Sequence, residues 1–419
     1  MDQSLVAKVR TSTKRFCDWL EGFGELSYDH QSFFASKIGR GAKALYYRQP
    51  LLGTAAVAPM IFFEAFVPSM RTLFWKPQRF PIADAHYAMG FAFLASTYES
   101  DEYYRRAVHF LEVLQETRCP GYKDYGWGYP FDWETRNGPM FANTPLITTL
   151  PYAYEAFSQV YALDSDPKWL AVMRSIAEHG FKDYRDMETG SGASSCGYTP
   201  AADDPCGVIN ASAYRAFLLT KAGLELSEQR YLNVAKKNLN FVIASQNSDG
   251  SWPYAVDGTR DFVDHFHTCF VMKALSKIEK LTGSVECKNA ISRGVAYYLK
   301  NLFDAKSLPI PFSKAPRFTV YRRELYDYAE CINLGVLLNG RFQELDETVS
   351  TVVKDVVERW QKKDGSFRAR ELKAGWDNVP MHRWAQSQLF RSFSFLLSQN
   401  KDESKQRVPE TRSAVKATT

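Results

Sequence analysis

The stretch QNSDGSWPYAVDGTRDFVDHFHTCF, from Gln246 to Phe270, decides the fold. The helical pattern before it, residues 227–246, has one apolar face and one charged face, which is typical of a helix exposed to water on one side. The pattern after it, residues 264–278, is rich in small and apolar residues on nearly every side, which is typical of a buried helix. The stretch is therefore predicted to connect a water-facing helix to a buried one.

The same alternation recurs along the chain at intervals of about 55–60 residues, which indicates a repeat. Six buried and five water-facing helices are recognisable, and we expect the sixth water-facing helix within residues 31–75. Six such pairs predict an all-α fold, an (α/α)6 toroid with six inner and six outer helices. We expect residues 1–398 to form a single toroid domain with an N-terminal helical extension, and the polar residues 399–419 to form a disordered tail. The buried helices are predicted at 83–98, 143–157, 208–224, 264–278, 324–338 and 381–397, and the water-facing ones at 101–117, 166–181, 227–246, 285–303 and 341–361.

Polar side chains cluster near the N-terminal ends of the predicted inner helices. Because all inner helices of such a toroid run in one direction, their N-termini and the loops before them meet at one mouth. Helix N-termini also favour anionic ligands through their partial positive charge. The mouth is therefore the predicted functional site, and residues 246–270 should line it. The polar residues concerned are Asp84, His86, Asn143, Asn210, Asp264, His265, His267, Asp327, Glu330, His382 and Arg383.

The overall composition narrows the classes of function. A net charge of +5 over 419 residues, without a block of Lys and Arg, argues against nucleic-acid binding. The seven cysteines lack paired spacing, so we expect a reducing, cytoplasmic environment. Residues 50–70 form the most apolar window, but three prolines and Glu64 interrupt it. We interpret this window as a buried helix rather than a membrane span, with peripheral membrane contact as the alternative.

Two similar turn motifs follow predicted outer helices, QNSDGSW at 246–252 and QKKDGSF at 361–367. In each motif the glycine lets the helix end and the aromatic residue packs back against the turn. A structural role is therefore the first interpretation of both motifs. Trp252 and Tyr254 are close enough to the mouth in sequence to be candidates for substrate binding as well.

The string DHFHTCF places His267 at the start of an inner helix, where it can form hydrogen bonds, transfer protons or bind substrate. The HTC string also resembles that of protein prenyltransferase β subunits, whose histidine binds zinc, and this resemblance implies a zinc site of Asp204, Cys206 and His267 as an alternative. Alignment of the inner helices, however, puts Asn210 where the cysteine ligand would belong. We therefore expect neither a metal nor another cofactor.

The loop YKDYGWGYPFDWETR, residues 122–136, is rich in aromatic and charged residues. Such a mixture suits sugars, because sugar rings stack on aromatic faces while hydroxyl groups bind polar side chains. Trp127, Trp133 and Arg136 are the predicted contacts. The sequence has no Walker loop, no HExxH, no GxSxG and no DDxxD diphosphate motif.

A resemblance to known proteins rests on four strings, GWGYPFDWETR, NTPLITTLPYAYEAF, DGSWPY and VDHFHTCFVMKAL. Over residues 80–398 the chain resembles bacterial toroid proteins whose genes lie among those for surface-polysaccharide synthesis. Their wider relatives are six-hairpin glycosidases, uronate lyases and C5-epimerases, so the resemblance implies an (α/α)6 fold and a carbohydrate-related activity. The turn motifs and the HTC string also resemble protein prenyltransferases and terpene cyclases, from which the chain departs in its zinc and diphosphate features.

We therefore expect a carbohydrate-active enzyme that acts on an acidic oligosaccharide or polysaccharide precursor. It would work by proton abstraction, as lyases and epimerases do, or by glycosidic hydrolysis. A non-catalytic glycan-binding or scaffold protein and an isoprenoid-handling enzyme are the alternatives. The candidates for catalysis are His267, Tyr326, His382, Glu330, Asp264 and Asp84, with Asp377 as a further carboxylate; those for substrate binding are Trp127, Trp133, Arg136, Asn210, Trp252, Tyr254, Arg322, Arg323, Trp376 and Arg383.

Overall fold

Helices dominate the chain, and from residue 81 onward they alternate between inner helices buried on nearly all sides and outer helices with one buried face. The computed structural model describes residues 1–136, 138–316 and 319–400. In chain order the helices are α1 (Gln3–Phe23), α2 (Ser32–Ala35), α3 (Lys37–Arg48), α4 (Pro50–Phe66), α5 (Arg71–Phe74), α6 (Pro81–Tyr98), α7 (Asp101–Glu116), α8 (Leu150–Asp164), α9 (Pro167–Lys182), α10 (Ile209–Glu225), α11 (Gln229–Ala244), α12 (His265–Thr282), α13 (Val285–Asn301), α14 (Leu325–Leu337), α15 (Gln343–Asp355) and α16 (Ser387–Gln399).

The inner helices close into a ring. Helices α6, α8, α10, α12, α14 and α16 each pack against the next, and α16 packs against α6. Small residues make this close packing possible, since a side chain at Gly90 in α6 would collide with the ring of Phe390 in α16. Helices α7, α9, α11, α13 and α15 lie outside the ring, each against the inner helix that precedes it in the chain. The chain thus forms an (α/α)6 toroid, as predicted.

The sixth outer helix is α1, and the prediction that it lies within residues 31–75 is wrong. The buried face of α1 includes Phe16 and Leu20, which belong to the main hydrophobic core. The two turn motifs confirm the equivalence of α1 and α13. The Gln246 side chain donates to the carbonyl of Ala290 in α13 at 3.0 Å, and the Gln361 side chain donates to the carbonyl of Ser12 in α1 at 2.9 Å. Helix α1, the outer helix that comes first in the chain, therefore lies next to α15, the outer helix that comes last, and so completes the outer ring.

Helices α2 to α5 form an extension inserted between α1 and α6. A buried ion pair fixes it, in which Arg71 donates to both oxygens of Glu64 at 2.9 Å. Arg71 also pairs with Asp377, at 2.8 Å, in the loop before α16. The apolar residues of this extension are the reason why the sixth outer helix was predicted within residues 31–75.

Short antiparallel strands occupy the long outer-to-inner connections, whereas the inner-to-outer connections are short turns. The long loops and their strands therefore gather at one end of the toroid, the predicted mouth. The strands are β1 (Trp133–Thr135), β2 (Gly138–Met140), β3 (Asp186–Gly190), β4 (Ala193–Cys196), β5 (Val263–Asp264), β6 (Phe312–Lys314), β7 (Tyr321–Glu324), β8 (Arg370–Leu372) and β9 (Trp376–Asp377).

Replacing Gly365 by alanine is expected to destabilise the protein by about 3 kcal/mol. Gly365 has a φ of +99°, and a Cβ atom there would collide with the backbone carbonyl of Arg15 in α1. Gly375 is a matched control, because its φ of +93° is similar but no atom lies within 4 Å of its Cβ position. Urea unfolding of both variants measures the difference. Equal losses at the two glycines would contradict the docking of α1 on this turn.

Candidate functional site

One polar side chain from each inner helix meets at the axis of the toroid and forms a buried group that we call the axial cluster. All six members are at most 4% exposed, which is unusual for charged and phenolic groups. Such residues need partners, because an isolated buried charge is costly. The members are His86 of α6, Tyr152 of α8, Tyr214 of α10, Lys273 of α12, Glu330 of α14 and Arg391 of α16.

Contacts within the axial cluster link its members directly. Glu330 pairs with Lys273 on one side and with Arg391, at 3.0 Å, on the other. The Lys273 ammonium donates to the Tyr152 hydroxyl at 3.3 Å, and the Tyr152 and Tyr214 hydroxyls share a hydrogen bond of 2.5 Å. The cluster thus contains two cationic side chains and one carboxylate, so positive charge is in excess.

The excess of positive charge affects the titration of the cluster. Burial lowers the pKa of Lys273 to about 8, although Glu330 acts in the opposite direction. Burial and the neighbouring cations hold the pKa of His86 well below its ordinary value, so its ring is neutral. The Gln388 amide contacts His86 Nε2 at 2.6 Å, while Nδ1 has no partner among the described residues. One ring nitrogen of His86 at the axis is therefore left without a hydrogen bond from the described residues.

Three stacked aromatic rings stand beside the axial cluster and form what we call the aromatic wall: Phe266, Tyr326 and Trp384. The rings of Phe266 and Tyr326 lie 4.9 Å apart, and those of Tyr326 and Trp384 lie 5.5 Å apart, with interplanar angles of 28° and 18°. Burial and the charge of Glu330 raise the pKa of Tyr326 well above its ordinary value. Its hydroxyl group therefore keeps its proton and can donate it.

His267 lies next to the aromatic wall and is held by Asp264. The Asp264 carboxylate caps α12 by accepting from the His267 backbone N–H at 3.1 Å, and its other oxygen contacts His267 Nδ1 at 2.6 Å. Because a carboxylate can only accept, Nδ1 carries the hydrogen, and in the neutral ring Nε2 keeps the lone pair. The His267 side chain is 20% exposed, whereas Asp264 is buried. This arrangement is that of an oriented general base.

Further aromatic residues line the mouth near His267. The ring of Tyr254 meets that of His267 edge-on at 4.7 Å, so Tyr254 stays a candidate for substrate binding. Tyr129 is close enough to influence the pKa values of Tyr198, Tyr254 and Tyr326. All but Tyr326 are partly exposed, so the mouth presents several ring faces and hydroxyl groups.

Arg383 also belongs to the mouth, but its charge is already compensated. Asp29, in the segment after α1, accepts two hydrogen bonds of 2.7 Å from its guanidinium group. The same group lies over the rings of Tyr129 and Trp384, at 4.3 and 4.1 Å from their centres. Arg383 therefore positions aromatic rings, and its guanidinium group is not available to a substrate carboxylate. This corrects the prediction that Arg383 binds substrate.

Two predicted acid–base residues lie away from this mouth. His382 is buried between α6 and α1, where Nδ1 contacts the Tyr87 hydroxyl at 2.5 Å and Nε2 contacts the Gly24 carbonyl at 3.0 Å. Asp84 is buried and pairs with Arg79 at 3.0 Å. Burial raises the pKa of Asp84 to about 7 in spite of this arginine. Both residues fix the N-terminal end of α6 instead of facing a cleft.

Because His382 is buried, we expect the stability of the folded protein to depend on pH. Burial lowers its pKa from 6.5 to about 4 in the folded protein, so between these values the unfolded chain binds more protons at this site. The stabilising contribution of His382 is complete above pH 6.5 and is lost as the pH falls toward 4. At about 1.4 kcal/mol per pH unit, the loss is about 3 kcal/mol.

His382→Gln provides the test, because glutamine can donate to Gly24 and accept from Tyr87 without titrating. We expect the free energy of unfolding of the variant to fall about 3 kcal/mol less than that of the parent between pH 6.5 and 4. Urea titrations at several pH values measure this difference. Parallel curves for the two proteins would contradict the neutral, buried state of His382.

The predicted tryptophan contacts divide into two groups. Trp127 and Trp252 are core residues, since their indole N–H groups donate to the carbonyls of Leu114 and Val242 at 2.8 and 3.0 Å. Neither has a ring face available for a sugar, which corrects both predictions. Trp133 is half-buried on β1, edge-on to Tyr129 at 4.8 Å, and so stays close to the mouth.

The remaining binding candidates are dispersed. Arg136 is exposed after β1, and Arg322 is exposed and donates to the Lys373 carbonyl. Arg323 is held by Asp304 and Glu371. Trp376 packs edge-on against Trp360 at 5.1 Å, Asp377 is buried against Arg71, and Asn210 is buried with no partner for its amide oxygen among the described residues.

The residues of the alternative zinc site have other roles. Asp204 accepts hydrogen bonds from the backbone N–H and hydroxyl of Thr199 and from the N–H of Cys206, so it stabilises a turn. His267 is engaged with Asp264 instead. Within the part of the chain that the structure describes, no group of three or more His, Cys, Asp or Glu side chains is placed to hold a metal ion.

Several site residues escaped the sequence analysis. Lys273 and Arg391 interrupt otherwise apolar helices, and a lone charge in a helix that is apolar all round is the signal that could have identified both. Phe266 and Trp384 adjoin predicted residues, but nothing in the sequence indicates that they stack. Asp29 comes from a segment far from Arg383 in the chain, so no local pattern reveals the pair.

Comparison with known proteins identifies the fold but no family. No protein-family model and no curated protein sequence matches the chain. Among solved structures, cellobiose 2-epimerase from Bacillus thermoamylovorans B4167 aligns with a TM-score of 0.61 at 9% identity, over 77% of this chain and 88% of that chain. A polysaccharide lyase aligns with a TM-score of 0.54 at 13% identity, over 83% of this chain and 98% of the lyase.

A third neighbour is an inactive α-1,6-mannanase variant of Salegentibacter sp. HEL1_6 in complex with α-1,6-mannotriose. It aligns with a TM-score of 0.55 at 13% identity, over 76% of this chain and 89% of that chain. At such identities the likeness establishes the common toroid. The epimerases, lyases and glycosidases expected from the sequence are thus fold neighbours, while the link to polysaccharide gene clusters stays a prediction.

Proposed function

We propose that the protein is a saccharide-modifying enzyme that moves protons at a carbon atom, as epimerases and lyases do. The observation that carries this proposal is the Asp264–His267 pair, whose Nε2 has a free lone pair beside the aromatic wall. A histidine oriented in this way is suited to proton abstraction. The neighbouring ring faces suit a sugar ring.

The state of the carboxylates favours proton abstraction over hydrolysis. Glycosidic hydrolysis requires two carboxyl groups that face the bond to be cleaved. Asp264 is bound to His267, Glu330 lies between two cations, and Asp84 and Asp377 are paired with arginines. Each of these four carboxyl groups is already engaged by a cation or by His267, so hydrolysis through them is the less favoured reaction.

Named residues can be assigned to each step of the proposed reaction. His267 Nε2 takes the proton from a carbon next to a carbonyl or carboxylate, and the electron pair moves onto that oxygen. Tyr326, whose pKa is raised, returns a proton to the other face and so inverts the carbon. In the elimination route the bond from the adjacent carbon to its glycosidic oxygen breaks instead, the departing oxygen takes the proton of Tyr326, and a carbon–carbon double bond forms. The positive excess of the axial cluster favours the anionic intermediate of either route.

A carbohydrate substrate is supported by the aromatic mouth and by the fold neighbours, which include an epimerase, a lyase and a mannanase bound to mannotriose. The acidic character of the substrate stays a prediction, because carboxylates of the protein already hold Arg323 and Arg383, two of the arginines chosen to bind it. A cytoplasmic location also stays a prediction; the seven cysteines are buried free thiols, which suits a reducing environment.

Proton NMR of the protein with a panel of neutral and acidic oligosaccharides in D2O tests the proposal. We expect deuterium to replace a carbon-bound proton, with inversion at that carbon or with new vinylic signals. New reducing ends without such exchange would indicate hydrolysis and would overturn the proposal. Line broadening without turnover would favour the glycan-binding alternative, and the absence of any response would remove the carbohydrate assignment.

A further inference from the structure

Helix α4 presents an apolar surface that the described part of the chain leaves uncovered. Only Gly53, Val57 and Glu64 of its residues are buried. Leu51 is 91% exposed and Phe62 is 54% exposed, although such side chains normally lie in a core. Contiguous exposed apolar surface of this kind marks an interaction site. The apolar residues exposed on α3, α4, α5 and the turn between the last two are Ile38, Leu51, Leu52, Ile61, Phe62, Phe66, Val67, Leu73 and Phe74, which we call the docking face.

The docking face is carried by a well-packed unit. Helices α3 and α4 form a tight hairpin, since a Cβ atom at Gly53 would collide with the backbone of Tyr46. The buried Glu64–Arg71 ion pair joins α4 to α5. Arg71 then ties this unit to Asp377 near α16. The apolar side chains are therefore displayed by a fixed scaffold and not by a frayed segment.

The charges around the docking face have one sign. Residues 31–80 contain seven Lys and Arg residues and a single acidic residue, Glu64, which is buried. Lys37, Arg48 and Lys76 are exposed at the edges of the face. Tyr46 and Tyr47 are each 36% exposed beside them, and such amphipathic rings favour a membrane–water interface. Exposed apolar residues with basic neighbours match an anionic lipid surface.

The shape of this unit does not require it to cross a bilayer. Among the described residues no single helix is both long and apolar enough to span a membrane, and only α4 together with Pro68–Phe74 passes on length and composition, with a bend of 113° between them. A short apolar helix with a sharp bend can lie along the interface instead.

We propose that the docking face binds peripherally to a bilayer that contains anionic lipids, with α4 lying in the interface and the basic residues on the lipid headgroups. A second copy of the chain would bring two faces of the same positive sign together, which disfavours self-association. The docking unit adjoins the mouth, because Arg40 of α3 pairs with Asp132 just before β1 at 2.5 Å. Binding would therefore hold the mouth beside the membrane surface.

Vesicle co-sedimentation with the full chain tests this proposal. We expect binding to vesicles of equal parts phosphatidylglycerol and phosphatidylcholine, weaker binding at high salt, and little binding to phosphatidylcholine alone. The double variant Leu51→Gln/Phe62→Gln should weaken binding by about tenfold or more, as should Lys37→Glu/Arg48→Glu. The control Val285→Gln removes an apolar side chain that is 61% exposed on α13, and it should bind like the parent.

These substitutions are at exposed positions, so circular dichroism should confirm an unchanged fold. Binding that is absent, or equal for vesicles with and without phosphatidylglycerol, would overturn the proposal. Sedimentation velocity tests the alternative that a second copy of the chain binds to the docking face. A dimer that Leu51→Gln/Phe62→Gln dissociates, in the absence of vesicle binding, would assign the face to a second copy. The vesicle assays need no saccharide, so their outcome does not depend on whether the proposed reaction is correct.

Discussion

The variant His267→Gln is expected to lower the turnover number by about 10³-fold while the fold stays intact. Glutamine occupies a similar volume and can hydrogen-bond to Asp264, but it cannot take a proton from carbon. The loss should therefore fall on kcat, with KM changed by less than about threefold, because the sugar contacts of the aromatic wall remain. Exchange of the carbon-bound proton in D2O should disappear together with turnover.

The variant Asp264→Asn separates the two roles of the Asp264 carboxylate, which caps α12 and orients the ring of His267. Asparagine still caps α12, because its side-chain oxygen accepts from the backbone N–H as well as aspartate does. The NH2 group of asparagine then donates to Nδ1, so the ring hydrogen moves to Nε2 and that atom loses its lone pair. We expect a loss of turnover about as large as that of His267→Gln. His109→Gln, on the exposed face of α7, is the control and should leave turnover unchanged. Full activity of His267→Gln would show that another group abstracts the proton.

The variant Glu330→Gln is expected to destabilise the protein by about 3–5 kcal/mol. It leaves the charges of Lys273 and Arg391 next to each other at the axis without a carboxylate. Both cations are at most 2% exposed, so water cannot replace the lost partner. Because single side chains from all six inner helices meet here, the penalty should affect the whole ring and appear as a lower urea midpoint.

Two further variants make this measurement specific. Glu330→Asp keeps the negative charge but shortens the side chain, so it should cost less than Glu330→Gln. Glu188→Gln breaks the exposed pair with Lys237, and we expect a change of less than about 0.5 kcal/mol. Equal stabilities of Glu330→Gln and the parent would mean that the axial cluster is solvated rather than buried.

Much of the ring could be predicted from the sequence, because an inner helix and an outer helix differ in composition at every turn. The sixth outer helix was assigned to the wrong segment. The α1 sequence does carry an apolar stripe at helical spacing, with Val6, Val9, Phe16 and Leu20, but residues 50–66 are far more apolar. Hydrophobicity alone therefore favoured the wrong segment. The position of α1 depends on contacts with Gln361 and Gly365, at the other end of the chain.

The site was only partly predictable for a similar reason. Asp264 and His267 are three residues apart at a helix start, so a local rule brings them together. The orientation of His382 and the pairing of Arg383 with Asp29 depend on contacts across more than 350 residues of chain. A residue type at the correct end of a helix indicates that a polar group is present, but not which side of the helix it faces.

The pairing of α1 with α16 bears on how the chain is made. The Gln361–Ser12 hydrogen bond joins residues 349 positions apart, and at a synthesis rate of about 5–20 residues per second the ribosome needs roughly 17–70 s to connect them. During that time the part of the apolar face of α1 that packs on α16, where the rings of Phe16 and Phe390 lie 5.3 Å apart, has no partner and is exposed to aggregation or to a chaperone. Moving α1 behind α16 by circular permutation would make the two helices neighbours in the order of synthesis and would remove this delay.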